Sequence, residues 1–189
     1  MKISTILNHI SFIESHLLTS KEMKGVKEIR NENSVRKTMF TSHLISDLEH
    51  ENWQKRLKSF KDEKFFGIKY RQNIIGGLGL KNIKKDSAYW SFYVSEKDKI
   101  LGIGAIIEFK ALEFFFNKFE FKRINCHVLK KNNKVVRLHR KFGFKEIFKN
   151  DLSDIDYPIR DEIKSFELKE SDWIIIKKNF EKKYLKEYV

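Results

Sequence analysis

The clearest apolar pattern in the chain is a strand-like segment, Ser87–Val94, followed by a long apolar stretch, Ala105–Phe119. In the first segment, alternate residues from Ala88 to Val94 share one apolar face, and aromatic residues also occupy the other face. Bulky side chains on both faces predict a central strand that is covered on both sides. The second stretch is apolar around most of its circumference and has room for about four helical turns, so it predicts the most buried helix.

The same kinds of pattern predict the other elements. Helices are expected over 20–30 with Ser20 as the cap, over 46–60, over 134–142, and from Glu170 onward. Strands are expected over 64–70, 73–80, 123–129 and 164–168, and from Phe144 onward. The first two of these strands, separated by two polar residues, predict a hairpin. Residues 1–17 stay ambiguous, the stretch 30–36 is expected as a polar loop, and the acidic segment 150–163 with Pro158 is expected as a surface loop.

Composition restricts the classes of function. A chain of 189 residues with 17 Phe and one Pro is expected to be one compact domain, 1–189. Its single cysteine, Cys126, excludes an internal disulfide and a cysteine metal cluster, and its place on an apolar strand face favours a buried residue over a reactive thiol. No apolar run approaches the roughly 18 residues that cross a bilayer, so we expect a cytoplasmic protein without a membrane partner or a bound metal.

The formal net charge is +13, which is compatible with binding to nucleic acid. However, 31 of the 39 basic residues are Lys, and they are spread along the chain. Sequence-specific nucleic-acid surfaces favour clustered Arg. The pattern therefore argues against nucleic acid and favours an anionic small molecule.

A glycine-containing loop connects the central strand to the apolar helix, in the sequence Lys99-Ile100-Leu101-Gly102-Ile103-Gly104. Glycine lets the main chain approach a ligand, and the first N–H groups of a helix attract anions. The loop is therefore a candidate phosphate site. A plain turn between strand and helix is the alternative interpretation.

A second motif follows one strand later. It consists of Asn132, Val135, Leu138, His139, Lys141, Gly143 and Phe144. Together with Lys99, Gly102 and Gly104, this pattern resembles the GNAT acetyltransferase superfamily. Two positions depart from the usual motif, because Lys99 replaces Arg or Gln and His139 replaces Tyr.

The resemblance implies a mixed α/β (α+β) fold. Its central sheet would be mostly antiparallel, with two parallel middle strands that splay apart and helices on its flanks. It also implies acetyl-CoA as the acetyl donor. The pantetheine would bind along Phe92, Tyr93 and Val94, with a main-chain N–H near Val94 stabilising the oxyanion. The pyrophosphate would bind along 99–104, with Lys99 as a point charge, and Asn132 would contact the pantetheine or its sulfur. Considered without the resemblance, Lys99 is equally a solvated lysine and Asn132 a turn residue or N-cap.

Two histidines are the candidates for proton transfer. His139 occupies the position where the family places the tyrosine that protonates the departing thiolate, and an imidazole can perform that step. Judged from the residues alone, it would be a surface histidine on a basic helix. His50 is the candidate general base, although a histidine on a helix is more often structural.

The amino-terminal half resembles the N-acetyltransferases of the pseudaminic acid pathway, which act on the 4-amino group of a UDP-linked sugar. This likeness, strongest over 20–173, is carried by Arg30-Asn31, Val35-Arg36, Met39-Phe40, Thr41, His43, Ile45, His50, Trp53 and the segment 90–93. The implied substrate-binding residues are Arg30, Met39, Phe40, His50 and Trp53. For Arg30, the alternative role is a salt bridge at the end of the helix. For Met39, Phe40 and Trp53, the alternative role of each is an ordinary contact in the core.

The leading hypothesis is therefore an acetyl-CoA-dependent N-acetyltransferase that acts on a nucleotide-linked amino sugar. An acetyltransferase for ribosomal-protein amino termini or for polyamines is the alternative of the same class. A CoA-binding module without turnover is the alternative of another class. The sequence leaves a homodimer open.

Overall fold

The computed structural model describes residues 3–97, 100–148 and 162–184. The predictions made for Lys99 and for the loop around Pro158 lie outside these residues. Within the described ranges, no helix combines the length and the apolar character required to cross a lipid bilayer.

The chain forms a seven-stranded sheet with helices on both sides. The helices are α1 (Ile3–His9), α2 (Ser20–Arg30), α3 (Asn33–Arg36), α4 (Asp47–Ser59), α5 (Ile103–Lys118), α6 (Asn133–Lys141) and α7 (Glu170–Tyr184). The strands are β1 (Ile10–Glu14), β2 (Lys64–Tyr70), β3 (Asn73–Lys81), β4 (Ser87–Val94), β5 (Arg123–Leu129), β6 (Lys145–Ile147) and β7 (Ile163–Lys169). A 3-10 turn, Ser15–Leu17, connects β1 to α2.

Short-range sequence signals explain where two of the helices begin. Thr19 caps α2 and Ser46 caps α4, and in both helices a glutamate three residues later completes a reciprocal capping box. The cap of α2 is therefore Thr19, one residue before the predicted Ser20, whose position is already helical. Each such cap contributes about 1 kcal/mol.

The order of strands in the sheet is β1-β2-β3-β4-β5-β7-β6. All neighbours are antiparallel except β4 and β5, which are parallel and are connected through α5. This is the mixed, mostly antiparallel sheet that the resemblance implies. The predicted hairpin is present as β2 and β3, with Arg71 in the left-handed region at φ 57°.

The core lies between the sheet and the pair α5 and α7. The predicted burial of α5 is confirmed, because Ile107, Leu112 and Phe115 are all fully buried. A fully buried side chain of this size stabilises the fold by about 1.5–3 kcal/mol. Cys126 is also buried, as its strand position predicts.

Three elements were not predicted, and they lie in two segments of the chain. The ambiguous segment 1–17 contains α1 and the edge strand β1, which pairs with β2 from Ile10↔Tyr70 to Glu14↔Phe66. The segment expected as a polar loop after Arg30 contains the short helix α3, which buries Val35. In both cases packing against the rest of the sheet or helices overrides a weak local pattern.

Candidate active site

The candidate site is the gap between β4 and β5. Main-chain pairing joins the two strands only from Ser87↔Arg123 to Tyr89↔Asn125, and their remaining residues diverge. Beyond Tyr89, β4 keeps its partner β3 on one edge, up to Gly76↔Val94. The peptide groups on its other edge are therefore not satisfied by β5, and they suit the amides of a ligand that enters the gap. The predicted ligand-contacting residues Phe92, Tyr93 and Val94 all lie on this part of β4, and they are partly buried.

The glycine loop meets the wide end of the gap. Gly102 precedes α5 with φ 76° and ψ 8°, a left-handed conformation that glycine adopts without strain. The N–H of Ile103 donates to the Ile100 oxygen at 3.2 Å, which tightens the turn. The next N–H groups, at Gly104 and Ala105, open α5, where the helix dipole concentrates positive charge. Residues 100–104 thus fit an anionic group such as pyrophosphate, while Leu101 is 97% exposed at the tip of the loop.

Helix α6 packs against the first turn of α5. A side chain at Gly104 would meet Leu138 Cδ2 at 3.7 Å, so the two helices approach closely here. Asn132 caps α6, since its side-chain oxygen accepts the Val135 N–H at 3.3 Å. That is the N-cap role named as the alternative, and contact with a ligand stays a prediction.

The most unusual feature of the site is a buried ion pair. His139 of α6 is 3% exposed and Glu108 of α5 is fully buried, and Nδ1 of the imidazole lies 2.8 Å from a carboxylate oxygen. His139 is therefore not a surface residue, because the α6 turn that carries it faces the core. The rings of Trp90 and Phe144 lie beside the imidazole, with centroid distances of 5.6 and 4.9 Å.

The surroundings of this pair favour one retained proton. Burial by itself would lower the pKa of His139, but the neighbouring Cys126 and Glu108 side chains outweigh it and raise that pKa to about 10. Burial also raises the pKa of Glu108, although the charge of His139 and the hydrogen bond to it act to lower that pKa. Both shifts make proton loss harder, so the pair holds at least one proton at neutral pH.

Two further polar atoms mark this position. Among the described residues, neither Trp90 Nε1 nor the second carboxylate oxygen of Glu108 has a hydrogen-bond partner, and both atoms are buried. A buried polar atom without a hydrogen-bond partner lowers the stability of the fold by about 1–3 kcal/mol. The gap therefore has a polar interior on an otherwise apolar side of the sheet.

The segment between α2 and α4 is fixed by polar contacts. Arg30 donates to the Thr41 carbonyl at 2.8 Å and to its hydroxyl at 2.9 Å, and Asn31 exchanges two hydrogen bonds of 2.8 Å with the main chain of Ile45. Arg36 adds a bond to the Asn31 carbonyl at 3.1 Å. This arrangement gives the Arg-Asn pattern a structural role, and Met39 and Phe40 lie, partly buried, in the segment that it holds.

His50 lies on α4 and is buried against α2 and Trp53. Its ring centroid is 5.2 Å from that of Trp53, which meets Phe65 of β2 edge-on at 4.8 Å. Burial is the main cause that lowers its pKa, with Lys27 acting in the same direction and a hydrogen bond to the Met23 main chain opposing it. His50 is thus neutral, but its described contacts are with α2 and α4, and none is with β4 or β5. The structure does not bring it together with His139.

The sequence analysis missed two groups of residues. Glu108 could have been found as the acidic residue inside an apolar helix stretch. The other group is Tyr89, His127 and Ser165, on the opposite face of the sheet. The rings of Tyr89 and His127 stack at 4.7 Å, and His127 Nδ1 lies 2.9 Å from the Ser165 hydroxyl. No cluster of three or more His, Cys, Asp or Glu suited to a metal occurs within the described part of the chain.

Comparison with known proteins agrees with this geometry. Residues 16–153 match the model of the acetyltransferase (GNAT) domain. The acetyltransferase PseH of Campylobacter jejuni is 25% identical over 127 residues, which cover 67% of this chain and 79% of that protein. The crystal structure of PseH in complex with acetyl coenzyme A superposes with a TM-score of 0.64 at 20% identity, covering 85% of this chain and 99% of PseH. The crystal structure of spermidine N-acetyltransferase from Vibrio cholerae in complex with CoA and spermine superposes with a TM-score of 0.73 at 18% identity. The match covers 88% of this chain and 99% of that protein.

Proposed function

Because the chain belongs to the GNAT acetyltransferase family, we propose that it transfers the acetyl group of acetyl-CoA to the amino group of a nucleotide-linked amino sugar. The observation that carries the proposal is the gap between β4 and β5, which ends at a glycine loop and the start of α5. The likeness to PseH, whose crystal structure contains acetyl coenzyme A, supports the donor.

The chain supplies binding sites for each part of the donor. The N–H groups of residues 100–104 that are not used within the turn bind the pyrophosphate, with Lys99 as an added positive charge. The edge of β4 over 92–94 pairs with the pantetheine amides, and a main-chain N–H near Val94 stabilises the oxyanion. Holding the thioester at a fixed depth in the gap removes translational entropy before the reaction begins.

His139 is the proposed proton donor for the leaving sulfur. The amine attacks the thioester carbon, the C–N bond forms, the C–S bond breaks, and the CoA thiolate takes a proton from the imidazolium. The contact with Glu108 supports this role, since the buried carboxylate helps to keep the imidazole protonated and therefore able to donate a proton.

The acceptor is proposed to be a UDP-linked 4-amino-4,6-dideoxy sugar. Support comes from the likeness to PseH and from the resemblance over the segment from Arg30 to Trp53. Arg30, Met39, Phe40, His50 and Trp53 are the proposed substrate-binding residues, and His50 stays a candidate base. The net charge of +13 favours an anionic nucleotide.

A polyamine is the second candidate acceptor. The shared fold with the Vibrio cholerae spermidine N-acetyltransferase is the observation that favours it. A cationic substrate, however, requires an acidic channel, which conflicts with the strongly basic chain.

The test is thiol release from acetyl-CoA with three acceptors. These are a UDP-4-amino-4,6-dideoxy sugar, spermidine, and a ribosomal-protein amino-terminal peptide. We expect turnover with the UDP-sugar. Turnover with spermidine or the peptide alone would contradict the proposed acceptor and leave the family's chemistry intact. Failure to bind acetyl-CoA, measured by calorimetry, would contradict the donor as well.

A further inference from the structure

Glu108 is an unusual residue for its position in the fold. It lies in α5 between Ile107 and Phe109, and all three side chains are buried. A buried ion pair is rarely the most stable choice, because well-packed apolar side chains of similar volume are often equally stable or more stable. The stability of the core therefore gives no reason for a carboxylate at this position. Buried ionisable groups with a specific charge partner are, by contrast, frequent at sites of chemistry.

The carboxylate of Glu108 binds His139 through one oxygen. Nδ1 of the imidazole lies 2.8 Å from Oε1, so the protonated ring donates a hydrogen bond to it. The other oxygen, Oε2, is buried and has no hydrogen-bond partner within the described residues. The rings of Trp90, Phe144 and Phe166 enclose the imidazole, with centroid distances of 5.6, 4.9 and 6.2 Å. The imidazole is therefore fixed by apolar rings around it and by a single carboxylate oxygen.

A histidine that donates a proton at neutral or mildly alkaline pH needs such a partner. An imidazole with an ordinary pKa of about 6.5 has lost its proton in most molecules at pH 8. Burial lowers that pKa further, since it disfavours the charged form. At His139 the neighbouring Cys126 and Glu108 side chains outweigh burial and raise the pKa to about 10. The ring therefore keeps its proton where an isolated histidine would be neutral.

We propose that Glu108 is a positioning residue for acetyl transfer, which fixes the imidazole of His139 and keeps on it the proton that the CoA thiolate receives. The inference rests on the acetyl transfer proposed above and deepens it. The activity then depends on a coupled pair of residues, and it extends to a higher pH than an isolated histidine allows. In each turnover the thiolate takes one proton from the imidazolium and Glu108 stays ionised. The proton that the amine releases as the amide forms replaces it, by exchange through water.

Glu108 is the carboxylate that faces the ring of His139. From β5, the thiol of Cys126 also interacts with the imidazole. The neighbours from β4, from β7 and from the chain after α6 are the uncharged aromatic rings named above. On α6 itself, Arg140 is exposed and pairs with Glu146 at 2.7 Å. Within the described part of the chain, substitution of Glu108 therefore removes the one carboxylate in contact with the ring.

The first test measures kcat between about pH 6 and pH 10, at saturating acetyl-CoA and saturating amounts of whichever acceptor the wild-type protein acetylates. Glu108→Gln keeps the size of the side chain and removes its charge. We expect the alkaline limb of the profile to move to lower pH, with kcat lowered about 10-fold at pH 8.5 and an unchanged Kd for acetyl-CoA. An alkaline limb that stays in place would overturn the inference, even if kcat fell uniformly.

Glu113→Gln is the matched control, since Glu113 lies on the same helix. Its carboxylate accepts hydrogen bonds from Trp173 Nε1 at 3.1 Å and from Lys177 at 2.6 Å, and neither partner belongs to the site. This variant is expected to keep the wild-type pH profile. A shift of the alkaline limb as large as that of Glu108→Gln would assign the effect to the charge of α5 in general and would overturn the inference.

The second test asks whether Glu108 acts through His139. A phenol with an ordinary pKa of about 10 keeps its own proton at neutral pH, so the His139→Tyr variant does not need the carboxylate. Adding Glu108→Gln to His139→Tyr is expected to change kcat by less than about twofold, whereas the same change in the wild type lowers it about 10-fold at pH 8.5. Equal losses in the two backgrounds would show that Glu108 acts on the fold alone, and would overturn the inference.

The third test needs neither turnover nor a variant that folds well. In the wild-type protein labelled with ¹³C-histidine, NMR reports the protonation of each imidazole, and the signal that disappears in His139→Phe belongs to His139. We expect this ring to stay protonated up to about pH 9. If acetyl-CoA binds in calorimetry but His139 titrates near pH 6.5, this inference alone fails. If acetyl-CoA does not bind, the proposed function fails, and with it any role of the pair in acetyl transfer.

Discussion

The two faces of the β4–β5 gap each carry a histidine, and the surroundings of the two histidines are opposite in character. On the α5 and α6 side, His139 is 3% exposed and tied to a fully buried carboxylate among aromatic rings. On the other side, His127 is partly exposed, stacks on Tyr89 and bonds to a neutral hydroxyl. The first environment fixes a proton in a low-dielectric interior, whereas the second is partly exposed to water. The difference teaches that the alternation of side chains along β4 and β5 separates a buried, charged environment from a partly exposed, neutral one.

Removing the Glu108 carboxylate should cause the largest loss of stability among these substitutions. Glu108→Ala leaves the His139 imidazole without its buried partner, and loss of one member of such a pair costs about 3–5 kcal/mol of unfolding free energy. Urea denaturation of the variant measures this loss. The matched change on the other face is Ser165→Ala, which removes a neutral hydrogen bond worth about 1 kcal/mol. Equal losses at the two sites would contradict the comparison.

The buried side should also make stability depend on pH. Because the pKa of His139 is raised from 6.5 to about 10, its contribution is fully present below pH 6.5 and is lost as the pH rises towards 10. The raised pKa of Glu108 acts in the same direction. Unfolding free energies measured between pH 6.5 and 9.5 should therefore fall as the pH rises.

Glu108→Gln provides the control for that pH dependence. The amide keeps the shape of the side chain but removes its charge, so the slope of unfolding free energy against pH should become smaller. An unchanged slope would assign the dependence to other groups. His50 does not interfere, because its lowered pKa affects stability only below about pH 6.5.

A pair of substitutions at His139 sharpens the contrast in chemistry. His139→Phe removes the proton donor and should lower kcat by about 10²-fold, with a smaller effect on the KM for acetyl-CoA. His139→Tyr has the same six-membered ring as the Phe variant but restores a hydroxyl donor, so its kcat should lie between those of the Phe variant and wild type. Steady-state thiol release measures both. Equal activity of the Phe and Tyr variants would rule out proton donation at this position.

The smallest expected effect is at the loop that both faces share. Gly102→Ala places a side chain at φ 76°, where no atom lies within 4 Å of the new Cβ, so its cost of about 1 kcal/mol comes from the backbone alone. Calorimetry should also show weaker CoA binding. Gly104→Ala is the control, because this position is helical and its Cβ meets Leu138 at an ordinary 3.7 Å. If the two variants behaved alike, the left-handed turn would have no special role.

Local sequence determined much of this protein. Three kinds of signal depend only on neighbours within a few positions: capping residues, the period-two pattern of β4 and the apolar continuity of α5. Local signals of this kind predicted most helices and strands and the family's glycine loop. The same local signals failed over 1–17, where β1 exists because β2 offers a free edge to pair with.

The tertiary structure decided the chemistry of the site. Glu108 and His139 are 31 positions apart, and only the packing of α5 against α6 brings them within 2.8 Å. Tyr89 and His127 meet because β4 and β5 are parallel and adjacent, and then diverge. A sequence fixes which residue types are present and how each element alternates, but the pairing of side chains across elements depends on their relative position in the folded chain.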